Sequence, residues 1–278
     1  MGKWNLIVDV ALCNNCNCCV LATKDEYIGN DFPSYAAAMP ARGHEWIRIM
    51  RRQRGTAPMV DVAYVPTMCN HCDEAPCIRA AGDGSVYKRP DGVVIFDPQK
   101  VVGRKDIVTS CPYGAITWNE EKQVPQIWSF DAHLIDGGWR EPRCAQVCPT
   151  GALKAYNVSD KEMQMMVAEE GLETLRPDLE TKPRIYYRNL HRYMSNFVAG
   201  TIVLRANGVE DCVEGARISL SKGGAVVGNT TSNAFGEFKC DALEGHGTTY
   251  HITVAHGDRL FEDDIVLDES LYLGTIAL

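Results

Sequence analysis

The chain has 278 residues, 45% of them hydrophobic, and a formal net charge of 28 − 36 = −8 at pH 7. This length is sufficient for two domains. The negative charge, without any basic block or stripe of Lys and Arg between aromatic residues, argues against a nucleic-acid-binding protein. No apolar run approaches the length of a membrane span, so we expect any membrane attachment to come through another subunit.

The first half of the chain contains short predicted strands between groups of cysteines. LIVDV at its start, VVIFD and AITW are apolar runs that predict strands. The segments CPYGAI at residue 111 and CPTGAL at residue 148 share the pattern Cys-Pro-x-Gly-Ala-apolar. This internal repeat indicates a duplicated ferredoxin-like domain.

Eight of the twelve cysteines form two triples and two Cys-Pro pairs. The first triple has the spacing C-x-x-C-x-x-C and consists of Cys13, Cys16 and Cys19. The second has the spacing C-x-x-C-x-x-x-x-C and consists of Cys69, Cys72 and Cys77. The two Cys-Pro pairs begin at Cys111 and Cys148. Bacterial two-cluster ferredoxins bind a 4Fe–4S cluster with three closely spaced cysteines and one distant Cys-Pro. Three ligands plus one, found twice, predict two 4Fe–4S clusters.

Zinc and disulfides are the two alternative uses of these cysteines. Structural zinc normally pairs one C-x-x-C with a second pair of Cys or His ligands, whereas each group here is a triple with a remote Cys-Pro. Disulfides need an oxidising compartment. The sequence begins MGKWNLIVDV with no signal peptide, which predicts a reducing, cytoplasmic compartment. The spacing therefore favours iron–sulfur clusters.

Several positions that would complete further clusters lack cysteine. A fully populated motif has another Cys four residues after each triple, where this chain has Thr23 and Ala81. Counting back from the first Cys-Pro by four, seven and ten residues gives three residues that cannot bind iron: Ile107, Arg104 and Val101. One cluster site is therefore predicted to be lost completely.

A second incomplete site precedes the last Cys-Pro, at Cys144, Asp131 and Trp128. Together with Thr23 these positions offer one thiolate and one carboxylate, too few for an ordinary cubane. The site either holds a degenerate cluster with an Asp ligand or is filled by Trp128, and we favour the second interpretation. Cys18, which is out of register with its triple, is interpreted as a buried or spectator thiol.

The character of the sequence changes at Ser159. Ser159 and Glu162 form a capping box and Gly171 is a stop signal, which predicts a helix of about three turns. Its apolar stripe is Met163, Met166 and Val167, interpreted as core packing. The following segment RPDLETKPRIYYRNLHRYMSNF is predicted to be an extended arm. Its Tyr and Arg content is typical of an interface, and a solvated linker is the alternative.

The last eighty or so residues contain short apolar runs separated by Gly, Asn and Asp turns, which predict an antiparallel β-sandwich. The expected fold class is thus α+β, with a ferredoxin-like domain and arm at residues 1–195 and a sandwich at 196–278. Cys212 and Cys240 lack metal-ligand spacing and are predicted to be buried structural residues.

No catalytic constellation is present in the sequence. There is no nucleophile elbow, phosphate-binding glycine loop or pair of helical histidines. The three histidines close to cysteine motifs, which we expect to pack or hydrogen-bond beside a cluster, are His44, His71 and His133. The sequence therefore predicts redox centres without a substrate site.

The motifs CNHCDEAPC, SCPYGAITW and PRCAQVCPTGAL resemble the iron–sulfur subunits of the dimethyl sulfoxide reductase superfamily. The emptied third motif, the segment GHEWIRIMRRQRGT, the arm and a C-terminal β domain resemble, nearly end to end, the small subunits of the pyrogallol–phloroglucinol transhydroxylase family. The resemblance implies a transthyretin-like or Cna-B-like β domain. It also implies a large catalytic partner, in a heterodimer or larger assembly, that holds molybdenum or tungsten on two pterin guanine dinucleotides.

The same resemblance implies how the ligands pair. The first triple is completed by the last cysteine and the second by the Cys-Pro of the third motif, which gives the sets Cys13, Cys16, Cys19, Cys148 and Cys69, Cys72, Cys77, Cys111. The transhydroxylase pattern keeps cysteines where this chain has Thr23, Trp128 and Asp131, and thus a third cluster. This departure leaves three alternatives open: a subunit for hydroxyl transfer between polyhydroxybenzenes, an electron relay for a resorcinol hydroxylase or catechol dehydroxylase, and a free ferredoxin-like carrier.

Overall fold

The computed structural model describes residues 2–206 and 208–278. These form two units: the first contains the described residues up to Met50 and Tyr64–Leu190, and the second contains Arg51–Ala63 and His191–Leu278. The boundary predicted between residues 195 and 196 treats the units as consecutive, so it does not foresee that residues 51–63 group with the C-terminal strands.

Seventeen strands and six helices lie within the described residues. The strands are β1 (Lys3–Asp9), β2 (Arg48–Arg54), β3 (Asp61–Thr67), β4 (Val86–Lys88), β5 (Val94–Phe96), β6 (Thr117–Asn119), β7 (Val124–Gln126), β8 (Leu153–Val158), β9 (Ile185–Arg188), β10 (Asn196–Ala206), β11 (Val209–Cys212), β12 (Arg217–Lys222), β13 (Ala225–Thr231), β14 (Glu237–Leu243), β15 (Thr248–His256), β16 (Arg259–Leu267) and β17 (Leu271–Ala277). The helices are α1 (Cys18–Tyr27), α2 (Pro76–Ala81), α3 (Ala132–Asp136), α4 (Arg143–Gln146), α5 (Asp160–Glu170) and α6 (His191–Met194). Two 3₁₀ turns cover Lys105–Ser110 and Pro177–Leu179. None of these described helices is long and apolar enough to cross a membrane.

The strand predicted at LIVDV is the centre of a three-stranded sheet in the first unit. This strand, β1, pairs antiparallel with β8 and parallel with β9. Leu6, Ile7 and Val8 are all buried. Burial on both faces explains why this strand is a continuous apolar run rather than an alternating one.

Part of the predicted arm belongs to this sheet. In β9 the side chains of Ile185 and Tyr187 are fully buried, and the Tyr187 hydroxyl donates a hydrogen bond to the Pro66 carbonyl over 3.1 Å. Because side chains two residues apart lie on the same face of a strand, both point into the core. For Ile185–Arg188 the solvated-linker interpretation is therefore wrong. The interpretation of the arm as an interface stays a prediction.

The predicted helix after Ser159 is confirmed as α5. The Ser159 side chain accepts a hydrogen bond from the Glu162 N–H, and the Glu162 carboxylate accepts one from the Ser159 N–H, which completes the capping box. Gly171 ends the helix with a left-handed φ of 60°. Met163 is buried, and Met166 packs partly buried beside it, as the apolar stripe predicts.

The second unit contains two four-stranded sheets around one hydrophobic core. One sheet has β10 paired with β11, β14 and β17, and the other has the order β13-β12-β15-β16. Val198 and Phe238 of the first sheet share the core with Leu220 and Val254 of the second. The alternating pattern of buried and exposed residues on these strands has the period of two that the sequence predicts.

Two predictions about this unit are wrong. The sheets are not purely antiparallel, because β17 pairs parallel with β10; a pattern of alternation fixes which face is buried but not the direction of a neighbouring strand. Cys212 is exposed rather than buried, since every residue of β11 faces solvent. Cys240 is buried as predicted.

A network of charged side chains connects residues 51–63 with α6 and β14 within the second unit. Arg54, whose side chain is 0% exposed, donates to Asp61 and, over 2.7 Å, to Asp241. Asp61 also pairs with Arg192 and with Lys239. Although burial opposes ionisation, the hydrogen bonds from these three cations hold the pKa of Asp61 well below its usual range. Two carboxylates therefore balance the charge of the buried guanidinium, although its Nε–H has no hydrogen-bond partner.

Arg54→Ala should destabilise the second unit by about 3 kcal/mol, because removing one member of a buried ion pair leaves its partners uncompensated. The matched control is Arg205→Ala, which removes an exposed pair with Glu210 and should change stability by at most about 0.5 kcal/mol. Chemical denaturation of the full chain measures both. Equal effects in the two variants would contradict the importance of the buried network.

Candidate metal centres

Four predicted ligands of the first unit surround a single cavity. Cys69, Cys72 and Cys77 line it together with Cys111, which comes from a separate segment. The space measures about 370 Å³ including its opening, and its other walls are mostly apolar. Within residues 2–206 and 208–278, no three His, Cys, Asp or Glu side chains are placed to hold a single metal ion. Thiols around a cavity fit the corners of a cubane.

The loop that carries Cys69 and Cys72 is fixed by backbone contacts with the segment before β9. The Arg184 N–H donates to the Asn70 carbonyl over 2.9 Å, and the Asp73 N–H donates to the Lys182 carbonyl over 2.9 Å. The loop conformation therefore depends on residues more than a hundred positions away, which no local motif reveals.

A lysine side chain also holds this loop. Lys88 Nζ donates to the His71 and Cys72 carbonyls over 2.8 and 2.9 Å. Because Lys88 belongs to β4, the ligand loop is fixed to the strand that follows it along the chain.

Burial controls the acidity of these thiols. It raises the pKa of Cys69 and Cys72, and it raises the pKa of Cys77 to about 12. The neighbouring sulfurs raise the pKa values further, because each disfavours a second negative charge nearby. Such thiols are poor nucleophiles, whereas a coordinating metal ion removes the proton outright. The donor set fits a metal centre and not a catalytic cysteine.

The second predicted set lies between the first loop and the segment after α4. Burial raises the pKa of Cys19 to about 12, and the sulfurs of Cys13, Cys148 and Cys16 contribute to the rise. Cys16 is exposed at the surface of the loop. The four thiols are thus close enough to influence one another.

Two asparagines shape the loop of this second set. Asn15 and Asn17 have left-handed φ angles of 60° and 61°, a conformation that Asn tolerates better than most residues. The loop between Cys13 and Cys19 can therefore turn tightly without glycine.

The wholly emptied site is filled by apolar side chains. Ala81, Val101 and Ile107 belong to one buried cluster. Arg104 lies at the edge, where its guanidinium donates to the Ala81 carbonyl over 3.3 Å and pairs with Asp106. Apolar side chains therefore occupy positions at which a fully populated motif would have iron ligands.

The other incomplete site is filled by aromatic residues. Trp128 is fully buried, and its ring lies 4.9 Å from Phe130 and 5.7 Å from His71 between centroids. Trp128 Nε1 donates to Asp131 over 3.0 Å. The Thr23 hydroxyl donates to the Cys19 carbonyl rather than pointing a ligand into a cavity. This packing supports the interpretation that Trp128 fills the space.

The three nearby histidines hydrogen-bond or pack. His71 Nδ1 accepts the Val94 N–H over 3.1 Å and lies 3.9 Å from Cys69 Sγ; burial lowers the pKa of His71 to about 3, so the imidazole is neutral. His44 Nε2 bonds to the Trp118 carbonyl. His133 pairs with Glu26.

One residue of this region was missed by the sequence analysis. Tyr27 is fully buried, and its hydroxyl donates to Asp131 over 2.9 Å. An isolated Tyr in a helix carries no motif, so no signal in the sequence could have found it.

Comparisons with known proteins agree with this geometry. A 4Fe–4S dicluster domain matches residues 60–158. The chain is 42% identical over 282 positions to the pyrogallol hydroxytransferase small subunit of Pelobacter acidigallici, with 100% of each chain covered. It is 30% identical to a sulfite dehydrogenase component of Allochromatium vinosum over 67% of this chain and 83% of that protein. It is 25% identical to the arsenate respiratory reductase iron–sulfur subunit of a Shewanella species over 66% of this chain and 95% of that protein.

The cysteine groups and the matched domain define an iron–sulfur protein of the 4Fe–4S dicluster class. Since the full-length identity is well above the level at which families are recognised, the chain belongs to the family of pyrogallol hydroxytransferase small subunits. It is a small iron–sulfur subunit, related also to components of other oxidoreductases.

Trp128→Ala should destabilise the first unit by about 3 to 5 kcal/mol, because it leaves a large cavity in a close-packed core. Trp139→Ala is the control, since Trp139 is 39% exposed and its loss should cost about 1 kcal/mol or less. Anaerobic denaturation of both variants, with iron content measured beforehand, gives the comparison. A tolerated Trp128→Ala would mean that the aromatic packing does not hold this region together.

Proposed function

We propose that this chain binds two 4Fe–4S clusters. The first uses Cys13, Cys16, Cys19 and Cys148, and the second uses Cys69, Cys72, Cys77 and Cys111. The strongest support is the single cavity lined by all four thiols of the second set. The mutual influence of the four thiols on their pKa values supports the first set. The packed side chains at the two remaining sites support a total of two.

The proposal includes the finer architecture. The first domain, residues 1–195, is a duplicated ferredoxin-like domain, supported by the two Cys-Pro-x-Gly-Ala repeats. The second, residues 196–278, is a β-sandwich of the transthyretin or Cna-B type, supported by two sheets that share one core. Residues 51–63 are the exception to this simple division, since they group with the C-terminal strands.

We further propose a cytoplasmic complex, heterodimeric or larger, with a large catalytic subunit that holds molybdenum or tungsten on two pterin guanine dinucleotides. That subunit would transfer or introduce hydroxyl groups on polyhydroxybenzenes. The support is the end-to-end likeness to the pyrogallol hydroxytransferase small subunit. Buried thiols of raised pKa and the absence of a catalytic motif in the sequence agree with a non-catalytic role for this chain.

The clusters, when bound, supply one-electron chemistry. With the neighbouring cluster positions filled by apolar and aromatic side chains, the chain is a poor conductor of electrons over long distances. Such a subunit suits a reaction with no net electron requirement, such as hydroxyl transfer between two phenols. The alternative is a working electron relay for a related oxidoreductase, which the likeness to components of sulfite dehydrogenase and arsenate reductase favours.

Iron analysis of the wild-type protein should give about eight irons per chain, four for each cubane. Cys111→Ala should lower the content to about four, because it removes one ligand of the second cluster only. Cys212→Ala is the control, since this exposed thiol lies on β11 and should leave all eight irons in place. About twelve irons in the wild type, or loss of both clusters in Cys111→Ala, would contradict the proposed ligand sets.

The redox state of the clusters during turnover separates the two functions. In the intact complex turning over two phenols, we expect the clusters to keep their resting state, because no electrons leave the catalytic centre. Rapid-freeze electron paramagnetic resonance measures this. Cluster reduction at the rate of turnover would contradict the hydroxyl-transfer role and support the relay.

A further inference from the structure

Asp131 is a fully buried carboxylate that accepts three hydrogen bonds. Its Oδ1 accepts the Tyr27 hydroxyl over 2.9 Å and Trp128 Nε1–H over 3.0 Å, and its Oδ2 accepts the Arg143 backbone N–H over 2.8 Å. Asp131 is 0% exposed. The Arg143 guanidinium is directed to Asp25 and Glu26 instead. The three donors that hold the carboxylate are therefore neutral.

This arrangement suits the ionised form of Asp131. The indole and backbone N–H groups can only donate, and a carboxylate offers only acceptors. Burial is the largest influence and raises the pKa of Asp131 on balance, while the hydrogen bonds from Tyr27, Arg143 and Trp128 oppose that rise. Donors arranged around both oxygens favour a negative charge in the core. The same charge helps to raise the pKa of Tyr27, after burial, which keeps that hydroxyl protonated and donating.

Asp131 lies close to the first set of thiols. The thiol of Cys144 is fully buried, and its pKa is raised first by burial, then by Asp131, and then by Cys19 and Cys148. Cys144 is thus near the carboxylate and two proposed cluster ligands at once. The Arg143 N–H that bonds Asp131 is the first of α4, the short helix that precedes Cys148. A continuous chain of contacts therefore joins the carboxylate to the ligand segment.

We propose that Asp131 lowers the reduction potential of the cluster held by Cys13, Cys16, Cys19 and Cys148. This inference rests on the proposed function, which supplies that cluster. Reduction adds one electron to the cluster and neither makes nor breaks a bond at Asp131. A fixed negative charge in a dry core opposes the added charge, since Coulomb interactions are much less screened there than in water. Charged groups and hydrogen bonds around a cluster are the usual means by which a protein sets its potential.

Asp131→Asn tests this directly, because it removes the charge and keeps the shape of the side chain. Redox titration of the holoprotein, followed by electron paramagnetic resonance, should show a higher midpoint potential for the first cluster. We expect its reduction constant to rise at least about tenfold, which is about 59 mV for one electron. The second cluster should not shift. Cys19→Ala and Cys111→Ala identify which signal belongs to which cluster.

Two further variants complete the experiment. Asp136→Asn removes a half-exposed carboxylate of α3 that pairs with Arg89, and should leave both potentials unchanged. Asp131→Ser repeats the loss of charge with a smaller side chain and should shift the first cluster in the same direction.

An unchanged first potential in both Asp131 variants would overturn the inference. So would loss of the first cluster in both variants with the second intact, because Asp131 would then be needed for assembly. If the wild-type protein shows no signal from the first cluster, the proposed function itself is contradicted. Iron analysis of the same sample separates this result from a failure of the Asp131 inference, because the iron content would then be about four rather than about eight.

Discussion

The fold of the first unit brings cysteine sulfur atoms from segments that are distant in sequence close together, as around the cavity lined by Cys69, Cys72, Cys77 and Cys111. Three cysteines close together in sequence need little tertiary structure to come together, but the fourth ligand that we propose for each set belongs to another segment. In the second set, Cys111 reaches the loop of Cys69 and Cys72 because a hydrophobic cluster that includes Ile107 and Ile116 packs beside them. The same thiols are buried strongly enough to resist ionisation by themselves. If these thiols bind iron as we propose, iron binding and folding should be coupled in this unit, because the metal supplies the positive charge that stabilises the thiolates.

Sites without cysteines are filled in two different ways. One has become an ordinary aliphatic core around Ile107, with Arg104 at its edge. The other combines Trp128 and Phe130 with the buried carboxylate of Asp131. A purely apolar replacement would have been simpler, since a buried charge costs free energy unless donors surround it. The presence of a buried carboxylate near Cys144 is what motivates a role for Asp131 in setting a redox potential.

Local signals predicted local structure well. The capping box at Ser159 and Glu162 and the stop at Gly171 located α5 correctly, because all of the interactions involved lie within one helix. The sequence also identified the family, since cysteine spacing reflects the geometry of the ligand loops. It failed where distant partners decide the outcome. The burial of Tyr187 depends on pairing with β1, the parallel direction of β17 depends on β10, and the exposure of Cys212 depends on a strand that faces solvent along its whole length.

The central claim is that two separate iron clusters occupy the two thiol sets. Anomalous diffraction at the iron edge, from crystals grown without oxygen, tests it most directly. The account predicts two four-iron peaks: one among Cys13, Cys16, Cys19 and Cys148, and one among Cys69, Cys72, Cys77 and Cys111. A third peak beside Trp128, or anomalous signal from zinc in place of iron, would contradict it.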